Sequence, residues 1–553
     1  MPARFRGPGR VKAGQVVALA VALVLAVTTA TVILNRTETS AQAETSPTAG
    51  ITFPLHTSGA NIVDASGKTV KLNMVNWYGA DSPDYVVGGL QSQPISEIIN
   101  KIVSMGFNGV RLPWSNQMWE SNPTVASKYV TANPSFAGKP ARTVFEDVVH
   151  DLANAGLMVV LDNHTSNAEW CCGNSDGNTL WYNSSYPQSA WLSDWESVTR
   201  EFKNVPQVIG ADLRNEPRGS AAWGGSNSAY DWHAAAQTGG NAVLGVDPHW
   251  LIFVEGVNYS LDLSGVSSLP VKLNTANQLV YEAHDYPWDF SGDTTYDSFA
   301  SKIQSQWGYL AGKVPLWIGE FGTCNTGSGC VSGTSANGAW WTFITRYLKY
   351  HDVNWSYWPV NGTESDGLSG QGRTFGATET YGILNTSWDG AALPAMLSGL
   401  QADQPACPSS PLANGTYYIK NRGSGDVIDI PKNSTTEGQA LEQWPSNDKA
   451  NQQWKLTQLG CGVYEITSAM DGQAMDVNGQ STSAGGSIDQ WPYSGGGNQQ
   501  FIITKNSSGY YTITNLNSMD LVEVPGSSNT AGTLLDQWPS NSGNNQQWSF
   551  IGT

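Results

Sequence analysis

Residues 142–164 read "RTVFEDVVHDLANAGLMVVLDNH": a helix, then an apolar strand that ends in a polar histidine. The same unit recurs on both sides. Upstream, "VKLNMVNWYG" (70–79) is a strand, and "ISEIINKIVSMG" (95–106) is a helix with a cap expected at Ser96 and a stop at Gly106. "FNGVRLPW" (107–114) is the next strand. Downstream, "WLSDWESVTREFKN" (191–204) leads into "VIGADLRNEP" (208–217), and a Gly/Ala-rich helical stretch leads into "WLIFVEG" (250–256). The last units are "QLVYEAHDY" (278–286), "FASKIQSQWGYLAG" into "PLWIGEFG" (315–322), and "AWWTFITRYLKYH" into "VNWSYWPVNG" (353–362).

Eight strand candidates with helices between most of them call for a parallel sheet, because parallel neighbours need crossovers. Eight units over about 350 residues suit an α/β fold of the (β/α)8 TIM-barrel type. A doubly wound open sheet would want a glycine-rich phosphate turn after the first strand, and none is present.

Barrels of this kind carry their chemistry at the C-terminal ends of the strands. Read in order, those ends give Arg111, His164, Asn215–Glu216, His284 and Tyr286, Glu320, and Trp358. One buried polar strand end is usually a satisfied structural group. A set this large, with two glutamates on different strands, points to a site. Two carboxylates at one mouth suit glycoside hydrolysis, in which one protonates a leaving sugar oxygen and the other attacks the anomeric carbon. Trp358 offers a flat platform for a sugar ring.

With those motifs in hand, residues 70–395 resemble glycoside hydrolase family 5, the cellulase-type retaining (β/α)8 enzymes. The resemblance casts Glu216 of "NEP" as acid/base, Asn215 as the contact to the sugar 2-hydroxyl, and Glu320 of "WIGEFG" as nucleophile. It implies that Arg111 and Tyr286 hold Glu320, that His284 sits beside the acid, and that His164 and Trp358 shape the sugar subsite. The loop "NAEWCCGNSDGNTLWYN" (167–183) offers Trp170 and Trp181 as further stacking candidates. Its Gly173–Gly177 stretch matches a nucleophile-elbow pattern, but no strand leads into it. The segment 361–382 is long enough to close one end of a cleft, which would favour action at chain ends.

The tail repeats itself. "EQWP", "DQWP" and "DQWP" place Trp444, Trp491 and Trp538 at intervals of 47, and "NQQW", "NQQF" and "NQQW" keep the same step. Ile419, Ile466 and Ile513 are also in register, so a three-fold all-β domain is expected. All three repeats resemble the ricin-type β-trefoil lectins used as family 13 carbohydrate-binding modules. That likeness makes Trp454, Phe501 and Trp548 core residues. It implies sugar sets Asp429, Trp444 and Asn451; Asp476, Trp491 and Asn498; and Trp538 with Asn545, where Glu523 replaces the aspartate. Glu442, Asp489 and Asp536 stand two residues before each tryptophan.

The chain carries 28 Lys+Arg against 46 Asp+Glu, a net charge of −18 with no basic aromatic stretch, which argues against nucleic-acid binding. Arg4, Arg6, Arg10 and Lys12 precede the apolar run Val16–Leu34, and "AQA" (41–43) offers a cleavage site, so residues 1–43 read as a secretion signal. Membrane attachment follows only if that segment stays uncleaved. Six cysteines fit an oxidising compartment, with Cys324–Cys330 and Cys407–Cys461 as pairs; Cys171 and Cys172 are either bonded to each other or free. The seven histidines lack ligand spacing, so no metal is expected, and nothing implies a nucleotide or flavin cofactor.

The expected organisation is therefore a signal (1–43), a hydrolase barrel (44–400) and a sugar-binding trefoil (407–553). Its expected partners are a polysaccharide substrate and a carbohydrate ligand, with β-1,4-glucan the first choice. Mannan, xylan and galactan remain alternatives, as does a non-catalytic lectin-like protein.

Overall fold

A computed structural model describes residues 46–368 and 370–553. The expected signal or anchor at 1–43 lies outside the described residues. Among those residues, no helix is long and apolar enough to cross a membrane. Residues 47–553 form one compact unit.

Eight strands form a closed, fully parallel barrel: β1 (Asn73–Asn76), β2 (Gly109–Ser115), β3 (Met158–Thr165), β4 (Val208–Asp212), β5 (Leu251–Glu255), β6 (Leu279–Asp285), β7 (Leu316–Phe321) and β8 (Asn354–Tyr357). β8 pairs with both β7 and β1, which closes the ring. The crossovers carry α1 (Ile95–Ser104), α2 (Ala141–Asn154), α3 (Gln188–Phe202), α4 (Trp232–Val246), α5 (Tyr296–Gln306) and α6 (Ala336–Tyr350), and α7 (Pro394–Asp403) follows β8. Between β5 and β6 a single 3-10 turn, Ser264–Ser267, stands where an α-helix would complete the pattern.

The capping expected at Ser96 is not observed. Pro94 occupies the N-cap, Ser96 lies inside the first turn, and the Ile95 N–H donates to Asn133 Oδ1 at 3.0 Å. A side chain 38 residues away thus satisfies an orphan donor that local sequence leaves open. Gly106 follows the helix at φ +88°, as a stop requires.

The barrel interior has two halves of opposite character. Toward the N-terminal ends of the strands, Leu72, Met74, Met158, Ile209, Phe253 and Trp317 pack with Leu55 and Ile62 of an N-terminal hairpin, which plugs that end. Toward the C-terminal ends the filling is charged: Arg111, Asp162, Asp212, Glu255 and Glu282 are all fully buried. Gly319 on β7 makes room for one of them, since a Cβ there would collide with the Glu282 carboxylate.

The second domain contains three units that open with the strands Gly415–Asn421, Val463–Ser468 and Tyr511–Asn515. Ile419, Ile466 and Ile513 share a closed core with Trp454, Phe501 and Trp548. The units interlock through buried glutamines. Gln443 donates to the carbonyls of Ser528 and Thr530, Gln490 to those of Ser434 and Thr436, and Gln537 to those of Ser481 and Ser483. Each glutamine therefore satisfies the loop of another unit, so no unit is complete alone.

Barrel and trefoil are joined through the second unit and the start of the third. Asp297 on α5 accepts the backbone N–H groups of Gly497 (2.7 Å) and Asn498 (3.2 Å). Arg346 on α6 donates to the carbonyls of Leu516 and Asn517. Val463, Ile502 and Leu516 extend the apolar core of the barrel across this junction. Disulfides join Cys324 to Cys330, Cys407 to Cys461, and Cys171 to Cys172.

Candidate active site

Glu216 follows β4 with φ +47°, a left-handed conformation immediately before Pro217 that costs on the order of 1–3 kcal/mol. Two bonds hold it there. Its N–H donates to Glu255 Oε2 at 2.7 Å, and its carbonyl accepts from Arg218 at 3.0 Å. The side chain consequently faces the cleft at only 8 % exposure, and burial raises its pKa above the usual 4.5 against the pull of Arg218, His164 and Arg111. It is suited to carry a proton.

Glu320 ends β7 on the opposite side. Arg111 donates to its Oε1 at 2.7 Å and the Tyr286 hydroxyl to its Oε2 at 2.8 Å, so both oxygens are fixed as acceptors. His284 stands between the two acids, with Nδ1 at 3.0 Å from Glu216 Oε1 and 3.6 Å from Glu320 Oε2. Burial pushes its pKa down to about 3, so the imidazole is neutral. One carboxylate oxygen from each glutamate and a ring nitrogen of His284 lie within 4.8 Å of one another. That proximity matches the short carboxyl spacing of double-displacement glycosidases rather than the wider gap of inverting ones.

Arg111 lies inside the barrel rather than at a strand end, since it is the third residue of β2. Its guanidinium meets Asp162 (3.1 Å), Asp212 (2.6 Å), Glu255 (3.1 Å) and Glu282 (3.5 Å) besides Glu320. One cation cannot balance five buried carboxylates, and burial pushes Asp162 and Asp212 up to about 7 and raises Glu255 and Glu282 well above the usual glutamate range. Donor atoms of Glu255, Glu282 and His284 also come within 4.8 Å of one another. Asn215 Oδ1 accepts from Arg111 at 3.0 Å, which turns its amide toward the cleft.

His164 Nδ1 meets Asp162 Oδ2 at 2.7 Å, and its ring lies parallel to Trp358 at 5.3 Å. Trp358 is also parallel to Tyr78 at 5.3 Å and only 8 % exposed, so it shows an edge rather than a free face to the cleft. Trp170 lines the cleft, whereas Trp181 is fully buried and packs on Trp232; burial in the scaffold overrides the stacking role read for it. The segment after β8 docks on this loop. Gln371 donates to Glu169, and the Arg373 guanidinium lies 3.6 Å over the Trp170 ring.

The cleft holds about 570 Å³. Its walls contain residues that the sequence reading passed over. Trp288 is 59 % exposed and stacks on Tyr286 at 4.4 Å. Beneath the walls, fully buried Glu255 at the end of β5 holds the Glu216 N–H, and the same strand-end rule points to it. The bonded Cys171–Cys172 pair lines the cleft as well.

In the trefoil, Asp429 accepts from Asn451 (2.7 Å) and Gln452 (2.8 Å). Glu523 accepts from Asn545 (3.1 Å) and Gln546 (2.8 Å), so the longer side chain meets the equivalent partners. Asp476 accepts from Asn498 (2.7 Å), but burial and then Asp489 push its carboxyl up to about 8. Trp444, Trp491 and Trp538 are 43–44 % exposed, each over a glycine of another unit: Gly532, Gly438 and Gly485. The glycines let the rings lie flat across the unit boundaries.

A parallel eight-stranded barrel with two glutamates this close across its mouth is a retaining glycoside hydrolase. The chain belongs to the cellulases of glycosyl hydrolase family 5, whose model matches residues 63–361; a ricin-type β-trefoil lectin domain-like model matches 408–491 and 497–553. It is 35 % identical over 332 residues to an endoglucanase of Paenibacillus polymyxa, covering 56 % of this chain and 80 % of that protein. The major extracellular endoglucanase of Xanthomonas campestris pv. campestris is 32 % identical over 349 residues, 59 % of this chain and 69 % of the relative. The solved catalytic domain of the Xanthomonas endoglucanase superposes with a TM-score of 0.55 at 30 % identity, covering 63 % of this chain and all of that one. A cellotetraose complex of an endocellulase from Pyrococcus horikoshii gives 0.54 at 25 % identity, covering 64 % and 100 %.

Proposed function

We propose that the protein is a secreted endo-β-1,4-glucanase in which residues 44–400 cleave the polysaccharide and residues 407–553 hold it. The observation that carries the reading is the placement of Glu216 and Glu320 on either side of His284, with opposite surroundings. Glu320 attacks the anomeric carbon while Glu216 gives its proton to the glycosidic oxygen, and the C–O bond to the leaving sugar breaks. Glu216 then takes a proton from water, whose oxygen displaces Glu320 and frees the second product. Asn215 donates to the 2-hydroxyl of the reacting sugar; His164 and Trp358 border the same ring, and Trp288 supports the departing side. The preference for β-1,4-glucan draws on the endoglucanase names of the relatives. Asp429, Trp444 and Asn451, and their counterparts in the other two units, bind sugar through a carboxylate, a ring and an amide.

Reducing-sugar release from a panel of β-glucans, mannans, xylans and galactans tests the substrate. Activity confined to a polymer other than β-1,4-glucan would replace the substrate, and none on any polymer would favour a lectin-like protein. Loss of kcat/KM on the alkaline side reports deprotonation of Glu216, because its raised pKa keeps the acid form above pH 4.5. The Glu216→Gln variant should lose that limb.

One observation favours a second reading. Arg373 packs the segment after β8 on Trp170, a lining residue of the cleft, and closure of one end by such a segment is what action at chain ends requires. Viscosity of carboxymethylcellulose separates the two: internal cleavage drops it sharply per reducing end formed, and chain-end cleavage barely changes it.

A further inference from the structure

Cys171 and Cys172 are adjacent, so their disulfide encloses no intervening chain and contributes almost nothing by loop closure. Anchoring of their loop falls to other groups. Arg218, two residues past Glu216, donates to the Gly173 carbonyl at 3.1 Å and pairs with Asp176, which in turn accepts the Gly173 N–H at 2.7 Å. The disulfide is therefore free for another task, and its position indicates which. Both cysteines line the cleft. Their sulfurs and a Glu216 carboxylate oxygen lie within 4.8 Å of one another. Asn215 Nδ2 points at both sulfurs, 3.4 Å from Cys171 and 3.5 Å from Cys172, while Arg111 holds its Oδ1.

Sulfur is a weak acceptor. An amide held between Arg111 and two sulfurs is fixed in orientation yet keeps most of its donor capacity, whereas a facing carbonyl or carboxylate would consume it.

We propose that the Cys171–Cys172 disulfide is a positioning element of the sugar site: it orients the Asn215 amide toward the 2-hydroxyl of the reacting sugar. The inference rests on the assignment of Asn215 to that hydroxyl. The effect of removing it is confined to substrates that carry the hydroxyl.

The test compares the full-length protein with Cys171→Ala/Cys172→Ala, Asn215→Ala, the combined variant, and Cys324→Ser/Cys330→Ser as control. The probes are 2,4-dinitrophenyl β-cellobioside and its analogue lacking the 2-hydroxyl on the reacting ring. In the cysteine variant kcat on the parent should fall roughly ten- to hundredfold with little change in KM, and on the deoxy analogue by no more than about twofold. Combination with Asn215→Ala should add little further loss, and the control should match wild type. Equal losses on both probes, or none, while Asn215→Ala still discriminates the hydroxyl, would overturn the proposal and leave the pair a structural feature. Failure of Asn215→Ala to discriminate, or wild-type inactivity on both probes, would instead remove the assignment on which it rests. If the cysteine variant fails to fold, mild treatment of folded wild type with tris(2-carboxyethyl)phosphine, with the opened pair located by thiol labelling, must give the same selective loss.

Discussion

Around the barrel site, side chains carried by seven strands, β2 to β8, meet in one unrepeated arrangement, whereas the trefoil writes one acid–tryptophan–asparagine set three times. The two regions also treat charge differently. The barrel buries five carboxylates around Arg111 and separates the duties of Glu216 and Glu320 by giving them unlike neighbours. Each trefoil set keeps one carboxylate bonded to amides, with a half-exposed ring beside it. Chemistry needs two similar groups made different; binding needs one group repeated. The barrel should therefore be brittle to single substitutions and the trefoil tolerant of them.

The sharpest way to break that contrast is Glu320→Gln. Its neutral amide cannot form the glycosyl–enzyme bond, so kcat on the polymer should fall on the order of 10⁴-fold or more, while affinity for the same insoluble polymer stays unchanged. Residual turnover within tenfold of wild type would remove Glu320 from the nucleophile role. A parallel loss of polymer binding would show that the barrel, not the trefoil, supplies most of the affinity.

The same contrast explains what could be read from the sequence. The barrel was legible because apolar strands alternate with helices, and the trefoil because Trp444, Trp491 and Trp538 keep one interval. Strand ends exposed Glu216 and Glu320 for the same reason. Burial, however, is set by the whole fold. Nothing local distinguishes Trp181, sealed against Trp232, from Trp170 in the cleft eleven residues earlier. Ser96 looked like a cap, but Asn133 from a distant loop took the orphan donor. Arg111 sits in mid-strand because five carboxylates from other strands meet it there. The Asp297 contact with Gly497 was invisible, since one ordinary aspartate meets a backbone 200 residues away.

A smaller effect tests the redundancy of the trefoil. Trp444→Ala, Trp491→Ala or Trp538→Ala alone should weaken polymer binding roughly two- to fivefold, and the triple variant far more than any single one, because linked sites act together. Each ring is close to half exposed, so the fold should tolerate the changes. A single substitution that abolishes binding would mean that one set does the work and the other two are scaffold.

The smallest expected effect separates the second trefoil unit from its siblings. Only there, among the three acids, does a second carboxyl, Asp489, lie close enough to share a proton with Asp476, and only there does an aspartate of the barrel, Asp297, add its charge. The Asp476 pKa is raised from 3.8 to about 8 in the folded chain, by burial first and Asp489 second. Folding then tightens the proton. The stability this contributes is complete below about pH 3.8 and is lost as pH rises toward 8. Asp489→Asn replaces the competing acid with an amide able to donate to Asp476, so ionisation of Asp476 opposes folding less, with burial still acting against it. The melting temperature of wild type should drop between pH 5 and pH 8, and the variant should drop less, by roughly a few degrees. Sugar binding through this unit should meanwhile gain at neutral pH, where the freed carboxylate can accept hydroxyl hydrogen bonds. An unchanged pH slope in the variant would show that Asp476 and Asp489 do not share a proton.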